Sequence, residues 1–346
     1  MSRLFERRLL TRTAITVALL ALLAWRIDFT EAGRALRDAD YVFIIPALVC
    51  FALAKLLVAQ RWRVMMSTFA RLPLMPLFGI LCVSNLANNV LPARLGDLIR
   101  VQVPAQRYGM SRARLAATVF ATESLLDGIA LGGLGLIGLA LIDLQGFPRE
   151  VFWGILGLLA GCLVAVVPLS HLKLEGGWTE RSVVQRLPHR IRLALEEAVP
   201  AFLDGLAVFR HGRLGLQAVA LSFALWLIEV AMFVLLGLAF GIHLSMPAWM
   251  VIMVAANLIT AVPITPSNIG AYEVAITELL KALGVDAGAA AGFAIAAHIF
   301  NIFWITAAGF VAMWSLGLGL DDVFSFRAKG PAAAFDETPE AAGARG

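Results

Sequence analysis

Pro92-Ala93-Arg94-Leu95-Gly96 and Pro266-Ser267-Asn268-Ile269-Gly270 share a Pro-x-x-(Leu/Ile)-Gly pattern, and a carboxylate follows each, Asp97 or Glu273. Each stretch cuts an otherwise apolar run. Proline and glycine interrupt helices. In a bilayer a broken helix leaves backbone groups unpaired, which is tolerated only where protein or a water-filled cavity satisfies them. Matching interrupted segments in the two halves of a membrane chain point to a transporter-like binding site. Pro92, Gly96, Pro263, Pro266 and Gly270 are therefore read as hairpin breaks.

The composition supports that setting. Of 346 residues 60% are hydrophobic and 15% charged, against roughly 45–50% and about 25% in soluble domains. The apolar run from about residue 9 to 25 has no small-residue cleavage site before Arg26 and reads as a retained signal-anchor. Cys50, Cys82 and Cys162 all fall in apolar segments, spaced for neither a disulfide framework nor a metal site. No catalytic residue, metal or cofactor is assigned. The net charge of +4 comes mainly from loop arginines. It concerns topology and anionic lipid rather than nucleic acid.

Spans of about 20 apolar residues fall at residues 9–25, 41–60, 116–142, 150–170, 214–241 and 288–318. Segments 74–91 and 247–263 are shorter, carry asparagines and end at the breaks. Segment 74–91 lies between two arginine-rich loops, so it dips into the bilayer and returns. Segment 247–287 enters and leaves on the other face if Arg327 and Lys329 hold the C-terminus inside. The expected fold is an all-α integral membrane protein: about six spanning helices plus two re-entrant helical hairpins in an inverted repeat. Residues 1–320 form one polytopic domain, with halves at about 1–142 and 150–320, and 321–346 a disordered cytoplasmic tail. Both termini are expected in the cytoplasm. Ile191 to Phe209 has helical apolar spacing, which fits a helix in the headgroup region, interrupted near Pro200, or one packed on the bundle.

Charges inside apolar segments are costly and mark interior or functional positions. Glu123 and Asp127 lie four apart on one helical face, so either a cation neutralises them or one carboxylate is protonated; Arg94 and Arg100 are candidate partners. Arg94 suits bidentate pairing with a phosphate. Glu273 has no local cation, whereas Glu278 and Lys281 pair with each other. Glu229 lies mid-span without a partner nearby in sequence. Asn85, Asn88, Asn89 and Asn257 precede the breaks and serve freed backbone groups or a headgroup. Lys55 is read as snorkelling to the inner interface, and His298 as a hydrogen-bonded packing residue. The substrate-binding set is Asn89, Arg94, Asp97, Arg100, Glu123, Asp127, Glu229, Asn257 and Glu273.

Asn89-Val90-Leu91-Pro92-Ala93-Arg94-Leu95-Gly96-Asp97-Leu98-Ile99-Arg100, then Glu123-Ser124-Leu125-Leu126-Asp127, then Pro263-Ile264-Thr265-Pro266-Ser267-Asn268-Ile269-Gly270-Ala271-Tyr272-Glu273 resemble, in that order, motifs of the flippase-like membrane region of lysylphosphatidylglycerol synthase and its stand-alone relatives. The similarity runs over roughly residues 10–318. Asp97 stands where glutamate is usual, Ser124 where arginine is, and Ser267-Asn268 where a glycine pair is. Any arginine–carboxylate pairing in that motif must therefore be supplied from elsewhere. The family's aminoacyl-transferase domain has no counterpart here.

The resemblance implies movement of a polar lipid between leaflets of a bacterial inner membrane, with the headgroup between the two hairpins. The alternative is a membrane enzyme acting on a polyprenyl-linked lipid, a glycosyltransferase or phosphatase. A third reading is a subunit that scaffolds a lipid-modifying enzyme. The partner expected is a membrane lipid, with a homo-oligomer or enzyme partner left open.

Overall fold

A computed structural model describes residues 37–90, 95–142, 189–261 and 266–318, with residues 161, 168 and 171 singly. The expected spans 9–25 and 150–170, the breaks at Pro92 and Pro263, Arg94 and the tail lie outside them. The described residues contain nine helices and no strand. These are α1 (Ile44–Met66), α2 (Leu74–Val90), α3 (Asp97–Tyr108), α4 (Arg112–Leu141), α5 (His189–Gly205), α6 (Gly212–Ala239), α7 (Met246–Ala261), α8 (Ala271–Ala282) and α9 (Ala287–Leu316). Four of them, α1 with its leading turn, α4, α6 and α9, are long and apolar enough to cross a membrane. α2 and α7 are apolar but shorter.

Local sequence sets the ends of these helices. The Asp40 side chain accepts from Val42 N–H at 3.1 Å and starts the turn leading into α1. Ser111 accepts from Arg114 N–H at the head of α4, and Asp286 accepts from Gly288 and Ala289 at the head of α9. Such caps satisfy amide groups that the first helical turn leaves open. Midway along α4 the residues Ala121–Leu126 form a π-helical turn. One long helix thereby changes register where its two carboxylates lie.

The helices pack in matched pairs. α1 lies on α6, α2 on α9, and α7 on α4. Exchanging α1 with α6, α2 with α7, α3 with α8 and α4 with α9 turns this list of contacts into itself. Lengths match as well: 17 and 16 residues for α2 and α7, 12 and 12 for α3 and α8, 30 and 30 for α4 and α9.

Each pair runs antiparallel. Asp40 N–H donates to Ala239 C=O at one end of α1 and α6, and Arg61 reaches Ser222 towards the other. Gly79 faces Leu316 and Gly309 faces Leu86 between α2 and α9. Gly138 faces Pro247 and Gly135 faces Val254 between α4 and α7. Small residues at these crossings let the backbones approach.

It follows that α2 starts, and α3 finishes, beside the C-terminus of α9, where Arg107 donates to Leu316 C=O. α7 and α8 start and finish at the opposite end of the bundle, beside Leu141 and the head of α9. Arg63, Arg71, Arg107, Arg112, Arg114, Arg210 and Arg213 gather at the first end. At the second, the described Lys and Arg residues are Arg37 and Lys281.

The largest core cluster joins α1, α4, α6, α7, α8 and α9, with Trp249 and Phe293 at its centre. A second joins α1, α2, α3, α4 and α9. Large apolar side chains stay exposed along α1 and α9, among them Val49, Leu53, Ile299, Phe303, Phe310 and Trp314. Exposure on that scale suits lipid as solvent.

Two expectations need correction. Pro200 lies inside α5, and the helix ends at Gly205 rather than near the proline. α5 also packs on the bundle: Leu203, Leu206, Val208 and Phe209 are buried, and Asp204 pairs with Arg114 at 3.1 Å. The Lys55 side chain, instead of extending toward the interface beyond Arg61, lies over the Phe51 ring with Nζ 5.2 Å from its centroid. Helical side chains lean toward the N-terminus, which carries Lys55 away from that interface.

Candidate functional site

The second break is a left-handed turn. Ser267 and Asn268 adopt φ values of 49° and 54°, and Gly270 follows at 86°. Two consecutive non-glycine residues in this region are costly, so neighbours must hold them. Asn268 Nδ2 donates to Thr260 C=O at 3.2 Å, tying the turn to α7. Ser267 Oγ donates to the backbone carbonyl of Asn89 at 2.9 Å. Asn89 is at the end of α2, so the tips of the two interrupted units touch inside the bundle.

The first break is held by close approach. A side chain at Gly96 would collide with the Ser84 carbonyl and with Asn88 on α2. Asn88 Nδ2 donates to Asp97 Oδ1 at 2.9 Å and fixes the head of α3. Among the described residues, Asn89 Nδ2 and Asn88 Oδ1 are buried without a hydrogen-bond partner.

Buried charges surround these tips. Arg61 on α1 grips Asp127 on α4 with both guanidinium ends, at 2.5 and 2.9 Å. Ser222 accepts from Arg61 Nη1, and Trp226 donates its indole N–H to Asp127. Arg61 is wholly buried. Its geometry is the bidentate fork that favours arginine over lysine. Arg100 on α3 pairs with Glu123 on α4 at 2.5 Å, and its guanidinium stacks on the Trp62 ring at 4.8 Å. Arg100 Nε and Nη2 are buried donors without a partner among the described residues.

The second half has an equivalent junction. Glu273 near the start of α8 bonds His298 Nδ1 on α9 at 2.7 Å. Its other oxygen accepts from Gly270 N–H at 2.7 Å and caps α8. Tyr272 stacks on the His298 ring at 4.3 Å. In each half, then, an acid–base pair ties the second helix of the interrupted unit to the long helix after it. The arginine is on α3 in the first half, and the carboxylate is on α8 in the second. Glu229, mid-way along α6, accepts from Asn257 Nδ2 at 3.2 Å.

Most of the residues singled out by sequence thus take part in separate polar pairs between helices: Asp97 with Asn88, Arg100 with Glu123 and Asp127 with Arg61 in the first half, Glu229 with Asn257 and Glu273 with His298 in the second. Asn89 takes part through its backbone carbonyl, which accepts from Ser267. Arg100 is the partner expected for the α4 carboxylates. Glu278 and Lys281 pair at 3.1 Å on the surface, as read. Arg61 is absent from that set, because the second expected span ends at residue 60 and Arg61 falls in the arginine-rich loop that follows it. The signal was present: the apolar helical pattern continues through Trp62, Val64, Met65 and Met66, and Ser124 leaves Asp127 without an arginine in its own motif. His298, read as a packing residue, is the base facing Glu273.

The family model described as the lysylphosphatidylglycerol synthase TM region matches residues 9–309. The chain belongs to this family. Among curated members and relatives, the chain is 24% identical over 331 residues to a UPF0104 membrane protein of Methanothermobacter thermautotrophicus, covering 89% of this chain and 95% of that one. It is 26% identical over 339 residues to "Glycosyltransferase AglD" of Haloferax volcanii, covering 88% of this chain but only 54% of that protein. The chain thus spans about half the length of that larger relative.

Proposed function

We propose that this protein translocates a polar or phosphate-bearing lipid between membrane leaflets, with α2–α3 and α7–α8 serving as re-entrant hairpins whose tips enclose the headgroup path. The observation that carries the reading is the Ser267–Asn89 contact between the tips of two units that begin and end at opposite ends of the bundle. Arginine clustering at one end supports placing that end in the cytoplasm. Adding the expected spans 9–25 and 150–170 gives each half an odd number of crossings, which supports an inverted repeat. The buried donors without partners on Asn89 and Arg100 suit an anionic oxygen, and Arg94, Asp97 and Glu229 join the candidate path.

The test is reconstitution of the full chain in liposomes with a fluorescent phospholipid, its outer-leaflet fraction read by a membrane-impermeant quencher. Transport without covalent change, lost in Glu273→Ala, supports the reading. Fluorescence that equilibrates no faster than in protein-free liposomes, across zwitterionic and anionic headgroups, overturns it.

The enzyme alternative draws on the printed name of the Haloferax relative. Asp38-Ala39-Asp40, an Asp-x-Asp pair beside α1, belongs to that reading, although Asp40 Oδ1 is engaged in capping the adjoining turn. A new lipid-linked product by mass spectrometry would favour the enzyme.

A further inference from the structure

Three acid–base pairs join helices in the interior among the described residues: Arg61 with Asp127, Arg100 with Glu123 and His298 with Glu273. The first two bases are guanidiniums, which keep their proton at any physiological pH. The third is an imidazole, the side chain whose charge can change in that range. The exchange of halves makes the contrast sharper. α3–α4 and α8–α9 are equivalent packed pairs, and a fixed positive charge in the first is replaced by a titratable ring in the second.

The bonding around Glu273 identifies the atom that can take a proton. Oε2 accepts from Gly270 N–H at 2.7 Å, and Oε1 lies 2.7 Å from His298 Nδ1. Both oxygens serve as acceptors, the pattern of an ionised carboxylate, which assigns the hydrogen to Nδ1. Nε2 is then the basic nitrogen of a neutral ring. A proton taken there breaks no bond: the Nε2 lone pair becomes an N–H and the ring an imidazolium. The pair passes from one negative charge to none. Its side chains are only 6% and 10% exposed, and an uncompensated charge is costly at such depth. A neutral pair suits the closed interior, and a charged one suits contact with water.

Two neighbours connect this pair to its surroundings. Thr277 lies one turn beyond Glu273 on the buried face of α8, and its hydroxyl is buried without a partner among the described residues. Buried hydroxyls are rarely left so, and a water handing a proton to the pair would satisfy it. The second neighbour is the break itself. Glu273 holds Gly270, and Ser267 of the same turn reaches Asn89 on the opposite tip. The titratable pair thus bears on the contact between the two units.

The helices around α9 bring few other ionisable groups into the interior. α8 brings Tyr272, stacked on the His298 ring, while its Glu278 and Lys281 pair at the surface. α6 brings Glu229, held by Asn257. α1 brings Lys55 over the Phe51 ring, Arg61 committed to Asp127, and Cys50, and α2 brings Cys82. Arg107 of α3 meets only the far end of α9, and α7 brings none.

We propose that the His298–Glu273 pair is a proton-binding site that couples lipid translocation to proton movement, the proton crossing in the same direction as an anionic lipid. With its proton the pair is neutral and tolerates a phosphate near the tips; without it the pair repels one. This rests on the lipid-carrier reading, to which it adds the driving ion.

The experiment uses the full chain in liposomes carrying fluorescent phosphatidylglycerol in both leaflets, its distribution read by an impermeant quencher under an imposed pH gradient. The lipid is expected to gather in the leaflet facing the alkaline side, by up to about tenfold per pH unit when one proton accompanies each lipid, beyond protein-free liposomes under the same gradient. His298→Gln keeps a donor for Glu273 but cannot take the proton, and should leave the lipid evenly distributed. In detergent, binding of dioleoyl phosphatidylglycerol to the parent should take up protons, read by calorimetry in buffers of different ionisation enthalpy, and His298→Gln should take up none. The parent's own response carries the test if that variant melts early.

Translocation by the parent that ignores the gradient overturns the coupling and leaves the carrier reading standing. A folded His298→Gln variant that matches the parent in gradient response, or in proton uptake, overturns the assignment to this pair. Absence of translocation with or without a gradient removes the carrier reading, and the coupling with it.

Discussion

The Ser267 hydroxyl and the Asn89 carbonyl, 178 residues apart in the chain, meet at 2.9 Å. That bond joins the end of α2 to the turn after α7. Each tip approaches from its own end of the bundle, so relative movement of the two units must break the contact. Carrying Asn89→Cys and Ser267→Cys in a background without native cysteines, the protein should crosslink internally with a short bismaleimide. Lipid translocation should fall to the protein-free rate after crosslinking and not after treatment with a monofunctional maleimide. Unimpaired transport by the crosslinked protein would show that these tips do not move.

The turn itself stores strain. Ser267→Ala loses the hydroxyl and keeps the left-handed backbone, whereas Ser267→Gly loses the hydroxyl and relieves the backbone. The glycine variant should be more stable than the alanine variant by about 1 kcal/mol, the usual cost of this conformation for an L-residue. Paired thermal unfolding in detergent reads the difference. Equal melting temperatures would place no strain at φ 49°.

Arg61 and Asp127 form a fully sequestered pair, so the cost of removing either partner is dominated by the charge left behind. Arg61→Ala or Asp127→Ala should each destabilise by about 3–5 kcal/mol. Arg61→Met combined with Asp127→Leu should recover most of that loss, since neither charge remains. Chemical denaturation of the three variants beside the parent checks both parts.

Glu273 does two jobs with two oxygens. Glu273→Gln keeps a carbonyl oxygen that can accept from Gly270 N–H but gives up the negative charge facing His298. Glu273→Ala loses both, and the lost cap alone should cost about 1 kcal/mol. The glutamine variant is expected to fold with near-parent stability and the alanine variant to melt lower. If the charge matters to transport, both variants are slow in liposomes, so stability and rate separate. A glutamine variant that transports at the parent rate would confine Glu273 to capping.

Much of the frame was legible in the residues. The apolar runs gave α1, α4, α6 and α9 to within a few positions, because a bilayer-length run of hydrophobic residues has few alternatives. The α1 boundary was the exception. On the sequence the run ends at residue 60, with Arg61 in the arginine-rich loop that follows, and the helix instead continues to Met66. Charge alone does not say whether an arginine faces water or a carboxylate, and Asp127 is on another helix 66 residues away. The π-helical turn in α4 was equally invisible, since it depends on packing that places Glu123 against α3 and Asp127 against α1. Gly96 and Gly270 each fall just before a helix, α3 or α8, as their residue type suggests, while Pro92 and Pro263 lie outside the described residues. That the tips of the two units touch needed the three-dimensional arrangement.

Among the described residues, exchanging α1–α4 with α6–α9 maps the set of helix pairs α1–α6, α2–α9 and α4–α7 onto itself. Apolar length cannot tell an insertion machinery which way round such a body belongs. The arginines collected beside Leu316 are then the chief label distinguishing its two poles, and moving a few of them to the loop between α6 and α7 would be enough to turn the protein upside down.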